Sequence, residues 1–215
     1  MRRRIVKQLT LAVIAGGFVA NADAVAPGFY LGLMGGPATN SGGTQQAQVQ
    51  GSATTTPVTP KSKQFGSRLF MGYKINQYAD IEGGLDYFSS VSYDTKSVET
   101  CSGATVRVRG LDVMGKGEVP VGAFSLYGKA GAALIYQSAS GALTPDLSSE
   151  CGRTTYSNKF VPTVAIGAGY DLSQNWVADI SLTRLMVGNQ LSNVDLFALG
   201  ISYHFVDVYC GQFLC

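Results

Sequence analysis

The clearest candidate for acid–base chemistry is His204, the single histidine of the 215-residue chain. Ser202 lies two residues earlier, so an extended segment would place both side chains on one face. A serine activated by a histidine can carry out acyl transfer, but the histidine also needs a third group, usually a carboxylate, that orients it. Two residues in line on one strand do not supply that group. We therefore interpret His204 as a polar side chain that points inward, and we expect no catalytic residue.

A second set of candidates consists of charged side chains that alternate with apolar ones. They occupy the face opposite to the apolar residues, so each would point into the interior of a folded sheet. A buried charge has to find a partner or lose its charge. Four basic and four acidic side chains share this placement, which predicts an ion-pair network that fills the interior; the alternative is a narrow, gated pore. These residues are Arg68, Lys74, Glu82, Asp86, Lys116, Glu118, Lys129 and Asp179.

The four cysteines, Cys101, Cys151, Cys210 and Cys215, allow three intramolecular pairings. A metal site is not expected, because the chain has one histidine and no two cysteines separated by two residues. The sequence also has no glycine-rich phosphate loop and no basic stripe of the kind that binds nucleic acid. We therefore expect no cofactor, no metal and no nucleic-acid partner.

The N-terminal segment 1–24 has the composition of a secretory signal peptide. Basic residues near its start are followed by apolar residues from Leu9 to Ala20 and by the small-residue cleavage pattern Ala22-Asp23-Ala24. The apolar stretch is too short to span a membrane as a helix. Removal of this segment takes away a net charge of +3, so the formal charge changes from +2 to −1. Export would also permit disulfides.

The elements that position these side chains are predicted to be strands. Apolar residues alternate with other residues in eight segments, and this period of two is typical of strands. Long polar connections, predicted to be loops, alternate with short turns at 76–78, 119–122 and 171–175. The predicted strands are 29–33, 65–75, 81–87, 105–119, 124–136, 160–170, 176–182 and 197–205, and the loops are 37–63, 92–103, 139–157 and 188–193. The first loop has no periodicity and is predicted to be mobile.

This pattern predicts an all-β fold, an eight-stranded antiparallel up-and-down transmembrane β-barrel that covers residues 25–205. Bacterial outer-membrane barrels have an even number of strands, short turns at one end, longer loops at the other and aromatic girdles at both interfaces. Only 14% of the residues are charged, the chain has 11 Tyr and 10 Phe, and many of these aromatics fall at the ends of the predicted strands. A soluble antiparallel barrel or sandwich would also alternate, and it is the alternative fold.

The fourth predicted strand is irregular. Arg107 and Arg109 occupy odd-numbered positions, as do the apolar residues Leu111 and Val113, so strict alternation would place all four on the same face (they have the same parity). Either Gly110 forms a β-bulge that reverses the parity, or the two arginines lie above the membrane, where the parity no longer matters.

The chain resembles the small eight-stranded outer-membrane barrels of Gram-negative bacteria, such as the OmpA transmembrane domain and related surface proteins. The resemblance covers essentially all of residues 25–205, and its most specific part is Gly200-x-x-Tyr203-x-Phe205. It implies that Gly200, Tyr203 and Phe205 form the membrane-insertion signal read by the barrel-insertion machinery. In that family the signal often ends at the last aromatic residue, whereas here residues 206–215 follow and are expected to form a short periplasmic tail.

Both chain termini are expected in the periplasm and the long loops outside the cell. This topology places Cys101 and Cys151 on the outer side and Cys210 and Cys215 on the inner side. Since bridged Cα atoms lie within about 7 Å of each other, the expected disulfides are Cys101–Cys151 and Cys210–Cys215. Free thiols or an intermolecular bond are alternatives for the second pair.

The expected function is a structural or interaction role at the cell surface, such as envelope integrity, adhesion or recognition as an antigen. The expected partners are outer-membrane lipid and lipopolysaccharide, the barrel-insertion machinery, and a host or cell-surface ligand that binds the four loops. One alternative is a narrow pore or a carrier for small or hydrophobic molecules. The other is a lipid A-modifying enzyme that would use His204 or a serine in a loop.

Overall fold

The protein folds as a closed barrel of eight antiparallel strands, with a separate two-stranded hairpin. The structure is a computed structural model and describes residues 28–40, 45–48, 55–58, 63–93, 104–140, 154–187 and 193–205. Within these ranges no helix is long and apolar enough to cross a membrane. The strands are β1 (Gly28–Asn40), β2 (Gln45–Gln48), β3 (Thr55–Val58), β4 (Lys63–Asn76), β5 (Ala79–Tyr93), β6 (Ala104–Val121), β7 (Phe124–Ser140), β8 (Thr154–Asp171), β9 (Trp176–Leu185) and β10 (Val194–His204).

Every barrel strand pairs with its neighbour along the chain, and β1 closes the barrel against β10. The closing register pairs Tyr30 with His204 and Asn40 with Val194. On its other side β1 pairs with β4, because β2 and β3 form their own hairpin outside the barrel. The predicted fold class, an eight-stranded antiparallel up-and-down barrel, is confirmed.

The short turns join strands at one end of the barrel. The first is held by an Asx-type bond, in which the Tyr78 backbone N–H donates to Asn76 Oδ1 over 2.8 Å. The β6–β7 turn contains Gly122 at φ 66°, a left-handed conformation that favours glycine. These tight connections fix the register of the strands on either side of them.

The predicted loops differ from the structure in two ways. The prediction of an unstructured mobile segment over 37–63 is wrong in part, because β1 continues to Asn40 and the hairpin β2–β3 follows it. The strands also extend into the predicted loops 92–103 and 139–157, where β5 ends at Tyr93 and β8 begins at Thr154. These segments are rich in Thr, Ser and Gln, so they can pair as strands in water without the apolar alternation that the prediction required.

The predicted alternative of a bulge at Gly110 is wrong. Strand β6 pairs residue for residue through Gly110, which lies opposite Asp86 on β5 and Ile135 on β7. Arg107 and Arg109 are exposed and point outward, as Leu111 does. The register shift in this part of the barrel lies instead in β5, between Phe88 and Val91.

The strands do not all reach the same height at the end that carries the long connections. Strand β8 pairs with β7 from its first residue, Thr154, which lies opposite Ser140. Its described pairing with β9 begins only at Thr163, opposite Leu185. The β7–β8 hairpin therefore extends beyond the end of β9.

Candidate functional site in the barrel interior

Arg68 on β4 occupies the centre of a buried charge cluster. Its Nη2 and Nε atoms donate to the two carboxylate oxygens of Asp112 over 2.6 and 2.9 Å. Its Nη1 atom donates to Glu82 Oε2 over 3.1 Å, and Nε lies 3.9 Å from Asp86 Oδ1. Two parallel bonds from one guanidinium to one carboxylate give a strong, directional pair. Three strands, β4, β5 and β6, are thereby joined through one side chain.

Lys129 on β7 extends this cluster across the lumen. Its Nζ atom donates to Glu82 Oε2 over 2.7 Å, and both side chains are almost fully buried. The same Nζ lies 4.8 Å from the Tyr127 ring centroid and 5.3 Å from that of Phe70. The ammonium group is thus held by a carboxylate and by aromatic faces, both of which favour a cation.

A second group of ion pairs lies closer to the short turns. Lys116 Nζ lies 2.7 Å from Glu118 Oε2 and 3.2 Å from Asp80 Oδ2, and Lys74 Nζ donates to Glu118 Oε1 over 3.2 Å. Tyr30 connects the two groups, because its hydroxyl lies 2.9 Å from Glu82 Oε1 and 3.3 Å from Asp80 Oδ2. The charges form one continuous network rather than separate pairs.

The structure places the eight charged residues predicted from sequence on the inner face of the barrel. Seven of them take part in the ion pairs described above: Arg68, Lys74, Glu82, Asp86, Lys116, Glu118 and Lys129. The eighth, Asp179, is half-buried and accepts a hydrogen bond from Ser202 Oγ over 3.3 Å.

Sequence reasoning missed two members of the network, Asp80 and Asp112. Both share the inward parity of the predicted residues, and that signal could have found them. Asp80 directly follows a turn, and Asp112 belongs to the strand with irregular alternation, so the sequence pattern around both residues is weak. With these two, the network of ion pairs and hydrogen bonds contains six carboxylates and four basic side chains among the described residues, so the predicted balance of charges is wrong.

The half of the interior nearer the long connections is apolar. Beyond Arg68 most inward side chains of the described strands are apolar and almost fully buried, Phe88 at 1% exposure for example, and the buried polar side chains there include Gln64. The interior is therefore charged at one end and hydrophobic at the other, whereas the sequence predicted a polar filling throughout. The apolar layer includes Ala38, Phe88, Val106, Val108, Ile135, Val161, Leu185, Val187, Val194 and Leu196.

Ser202 and His204 lie near the short-turn end, with their side chains inside the barrel. Ser202 Oγ is 3.3 Å from His204 Nε2 and 3.3 Å from Asp179 Oδ2, so the serine lies between the histidine and the acid. In a catalytic triad the histidine occupies the middle position. The His204 ring instead stacks on Tyr30, with centroids 4.7 Å apart. This order does not activate the serine by the triad mechanism.

A cavity at the same end of the barrel is bordered by both ion-pair groups and by the serine–histidine contact. Its lining combines basic, acidic and hydroxyl groups, so it has no single preference for anions or cations. Among the described residues, no group of three or more His, Cys, Asp or Glu side chains is arranged to hold a metal ion. The lining includes Lys74, Lys116, Glu118, Asp179, Ser202 and His204.

The outer face of the barrel is hydrophobic. Aromatic pairs surround the short-turn end: Phe29 with Tyr73 at 4.9 Å, and Phe124 with Tyr170 at 4.7 Å between ring centroids. Aromatic residues such as Tyr136 also point outward near the other end. Two aromatic bands with apolar residues between them match the surface that a bilayer requires.

The residues of the predicted insertion signal lie on the strand that closes the barrel. The backbone at Gly200 packs so closely on β1 that an added Cβ would lie 2.6 Å from the Met34 Cβ. The Tyr203 ring lies between Trp176 and Phe205, 5.0 Å from each ring centroid. The Phe205 backbone N–H donates to the Phe29 carbonyl over 2.8 Å.

Several predictions fall on residues that the structure does not describe. These are the signal peptide 1–24, the tail 206–215, the central parts of the four loops, and the cysteines Cys101, Cys151, Cys210 and Cys215. The disulfide pairing therefore stays a prediction.

Known proteins share this sequence pattern and this fold. A curated relative, an uncharacterized protein of Coxiella burnetii, is 27% identical over 175 residues, which cover 68% of this chain and 71% of the relative. Neisserial surface protein A superposes with a TM-score of 0.55 at 15% identity, over 82% of this chain and 97% of that one. OprG of Pseudomonas aeruginosa gives 0.55 at 14% identity, over 86% and 100%.

A third similar structure is Ail, the attachment invasion locus protein of Yersinia pestis, solved in complex with the heparin analogue sucrose octasulfate. Its TM-score is 0.50 at 16% identity, over 83% of this chain and 99% of that one. Residues 9–205 match the family described as the outer membrane protein beta-barrel domain. The expected resemblance is confirmed: this chain belongs to the outer membrane protein beta-barrel domain family, whose members lie in the bacterial outer membrane.

Proposed function

We propose that this protein is a non-enzymatic surface protein of the outer membrane, in which a closed barrel carries outward-facing loops that recognise other molecules. The observation that carries this proposal is the filled interior. Arg68, held by Glu82 and Asp112, lies below a packed apolar layer that includes Phe88 and Leu196. Eight strands leave an interior just wide enough for side chains to fill.

The first test measures ion conductance through the barrel. The full mature chain, reconstituted in planar bilayers, should show no steady openings of porin size. Steady, ion-selective openings of the unaltered protein would overturn the closed-barrel proposal and would favour the alternative of a narrow pore. A known porin, reconstituted in the same bilayers, serves as the positive control for detection.

The apolar layer is also the observation that favours a second candidate function, a carrier for hydrophobic molecules. Such a carrier needs space for its cargo, and the layer is instead packed tightly around Phe88 and Leu196. Uptake of a hydrophobic dye by cells with and without the protein distinguishes the candidates. Equal uptake supports the closed scaffold, and faster uptake with the protein supports the carrier.

The recognition role is assigned to the connections at the end opposite the short turns, because binding residues concentrate on loops held by rigid scaffolds. These connections are the parts of 37–63, 92–103, 139–157 and 188–193 that lie outside the barrel strands. The complex of Ail with a heparin analogue supports an anionic cell-surface ligand as the class to test first. Cells that express the protein should bind immobilised heparin more strongly than cells that express a variant with short turns in place of these loops.

The proposed orientation places both termini in the periplasm. Protease added to intact cells should cut within 37–63 and 139–157 and should spare the turn at 76–78. Cuts confined to that turn would reverse the orientation. The proposed enzymatic inactivity is tested by comparing lipid A masses from strains with the protein, without it and with His204→Ala; a mass difference that depends on His204 would overturn it.

The remaining proposed partners are the outer-membrane lipids, including lipopolysaccharide, and the machinery that inserts barrels. The insertion signal is assigned to Gly200, Tyr203 and Phe205. Phe205→Ala should lower the amount of folded protein in the outer membrane, while the purified variant should still fold in detergent. An unchanged amount in the membrane would remove this assignment.

A further inference from the structure

Charged side chains on the outer face of the barrel are confined to one end. In the described strands, the outward-facing charged residues all lie in the parts of the strands that adjoin the long connections. No outward-facing charge occurs in the described residues at the short-turn end. The five residues are Lys63, Arg107, Arg109, Arg184 and Asp195.

This outer set has an excess of positive charge. Arg184 donates to both carboxylate oxygens of Asp195, over 2.6 and 2.9 Å, so these two side chains neutralise each other. No carboxylate of the described strands forms an ion pair with Lys63, Arg107 or Arg109. Three cations therefore remain uncompensated within the described part of the chain.

Arg109 lies between two tyrosines on the neighbouring strands. Tyr87 of β5 and Tyr136 of β7 are its register partners, and all three side chains are exposed. The guanidinium carbon of Arg109 lies 5.8 Å from the Tyr87 ring centroid. Arg107 points outward two residues further along β6, about 7 Å away. The patch therefore presents two guanidinium groups and two phenolic hydroxyls, all of which can donate hydrogen bonds.

The surface changes from polar to apolar within two residues below this patch. Leu111 follows Arg109 on the same face, and its register partners are Leu85 and Leu134. A row of leucines beneath a row of arginine and tyrosines is the surface expected at the level where acyl chains meet head groups.

We propose that Arg107, Arg109, Tyr87 and Tyr136, here called the outer basic patch, bind the phosphate groups of lipid A in outer-leaflet lipopolysaccharide. Guanidinium groups bind phosphate oxygens through two parallel hydrogen bonds and lose less hydration energy than ammonium groups. The leucine row beneath would contact the acyl chains of the same lipid. This inference rests on the orientation in the proposed function, since only the outer leaflet contains lipopolysaccharide.

The test compares binding of three lipids to the full mature chain folded in detergent. They are bisphosphorylated lipid A, lipid A with both phosphates removed, and phosphatidylglycerol. The unaltered protein should bind the first more tightly than the other two. In the variant R107Q/R109Q the affinity for bisphosphorylated lipid A should fall about 30-fold, since each basic residue near a lipid surface contributes about a fivefold gain.

The matched control is R184Q/D195N, which removes an ion pair at the same end of the barrel without changing the net charge. It should bind lipid A as the unaltered protein does. Equal lipid A binding by R107Q/R109Q and the unaltered protein would overturn the inference. Binding of phosphatidylglycerol as tight as that of lipid A would also overturn it, because the patch would then respond to any anionic lipid.

The protease experiment on intact cells separates this inference from the proposed function. If 139–157 is cut and lipid A binding does not depend on the arginines, only the lipid A site is wrong. If 139–157 is protected and the turn at 76–78 is cut, the orientation itself is wrong and the inference fails with it.

Discussion

Arg68 and Asp112 form a two-bond pair across the width of β5, with 2.9 Å from Nε to Oδ2 and 2.6 Å from Nη2 to Oδ1. The pair passes over Gly84, where an added Cβ would lie 2.5 Å from Asp112 Oδ2 and 2.6 Å from Arg68 Nε. A glycine on β5 thus leaves the space through which β4 and β6 are connected.

Replacement of Arg68 by Met should destabilise the barrel strongly. It leaves the buried carboxylates of Asp86 and Asp112 without their cation, and loss of one partner of a buried ion pair costs about 3–5 kcal/mol. The free energy of unfolding, measured in urea by the gel mobility of the folded barrel, checks this.

The double variant R68M/D112L serves as the control for that experiment. It removes both partners of the two-bond pair, so its loss should be smaller than the sum of the two single losses. If the double variant loses as much free energy of unfolding as the two single variants together, the two side chains are not coupled.

Gly84→Ala should also be destabilising, by about 1–3 kcal/mol, because the new methyl group forces Arg68 or Asp112 out of position. Gly117→Ala is the matched control, since an added Cβ there has no atom within 4 Å. Both substitutions add the same methyl group to a glycine in a barrel strand. Similar unfolding free energies for the two variants would mean that the space over Gly84 is not needed.

A charge placed halfway along the lipid-facing side of β8 should be costly. Ile166 is 65% exposed and lies between the outward aromatics Phe160 and Tyr170. Ile166→Arg is expected to lower the free energy of unfolding of the barrel in lipid by about 2–4 kcal/mol, the cost of an arginine near the bilayer midplane.

Tyr156→Arg tests the same strand near the long connections, where the expected cost is about 0–1 kcal/mol. Tyr156 is 78% exposed, so neither substitution disturbs the interior. Equal costs at the two positions in liposomes would show that Ile166 does not lie deeper in the bilayer than Tyr156.

The predicted bond between Cys101 and Cys151 is consistent with the positions of the described strands. Cys101 precedes the first residue of β6 by three residues, and Cys151 precedes the first residue of β8 by three. Both strands start at the same end of the barrel, separated only by β7, so their axes are about 10 Å apart. Peptide mass mapping without reductant should recover a Cys101–Cys151 peptide, and a peptide that joins Cys101 to Cys210 would contradict the strand topology.

The sequence predicted the barrel because its signal is local. Each strand alternates, and residues such as Leu126 and Ile166 lie outward where the alternation placed them. The pairing of charges was not predictable, because it depends on strand tilt and register, which place Arg68 opposite Asp86 on β5 and near Asp112 on β6.

The apolar layer could have been predicted but was missed. Val106, Val108 and Val161 have inward parity, so the inward face of these strands becomes apolar near the long connections. A search for alternation records the outward face and ignores such a change on the inward face. The hairpin β2–β3 gave no comparable signal, since its residues are mainly Gln and Thr.

The unequal heights of the strands determine what an approaching antibody or host receptor meets first. Residues 154–162 of β8 continue for nine positions above the first residue that pairs with β9, roughly 30 Å along the strand. Strands β5 to β8 reach this level together, since Ser140 of β7 pairs with Thr105 of β6 as well as with Thr154 of β8. The rim of the barrel is therefore higher on the β5–β8 side than at β9. Sugar chains of neighbouring lipids would shield the low side of the rim more than the high side, so the dominant epitope of this protein should map to the β5–β6 and β7–β8 connections.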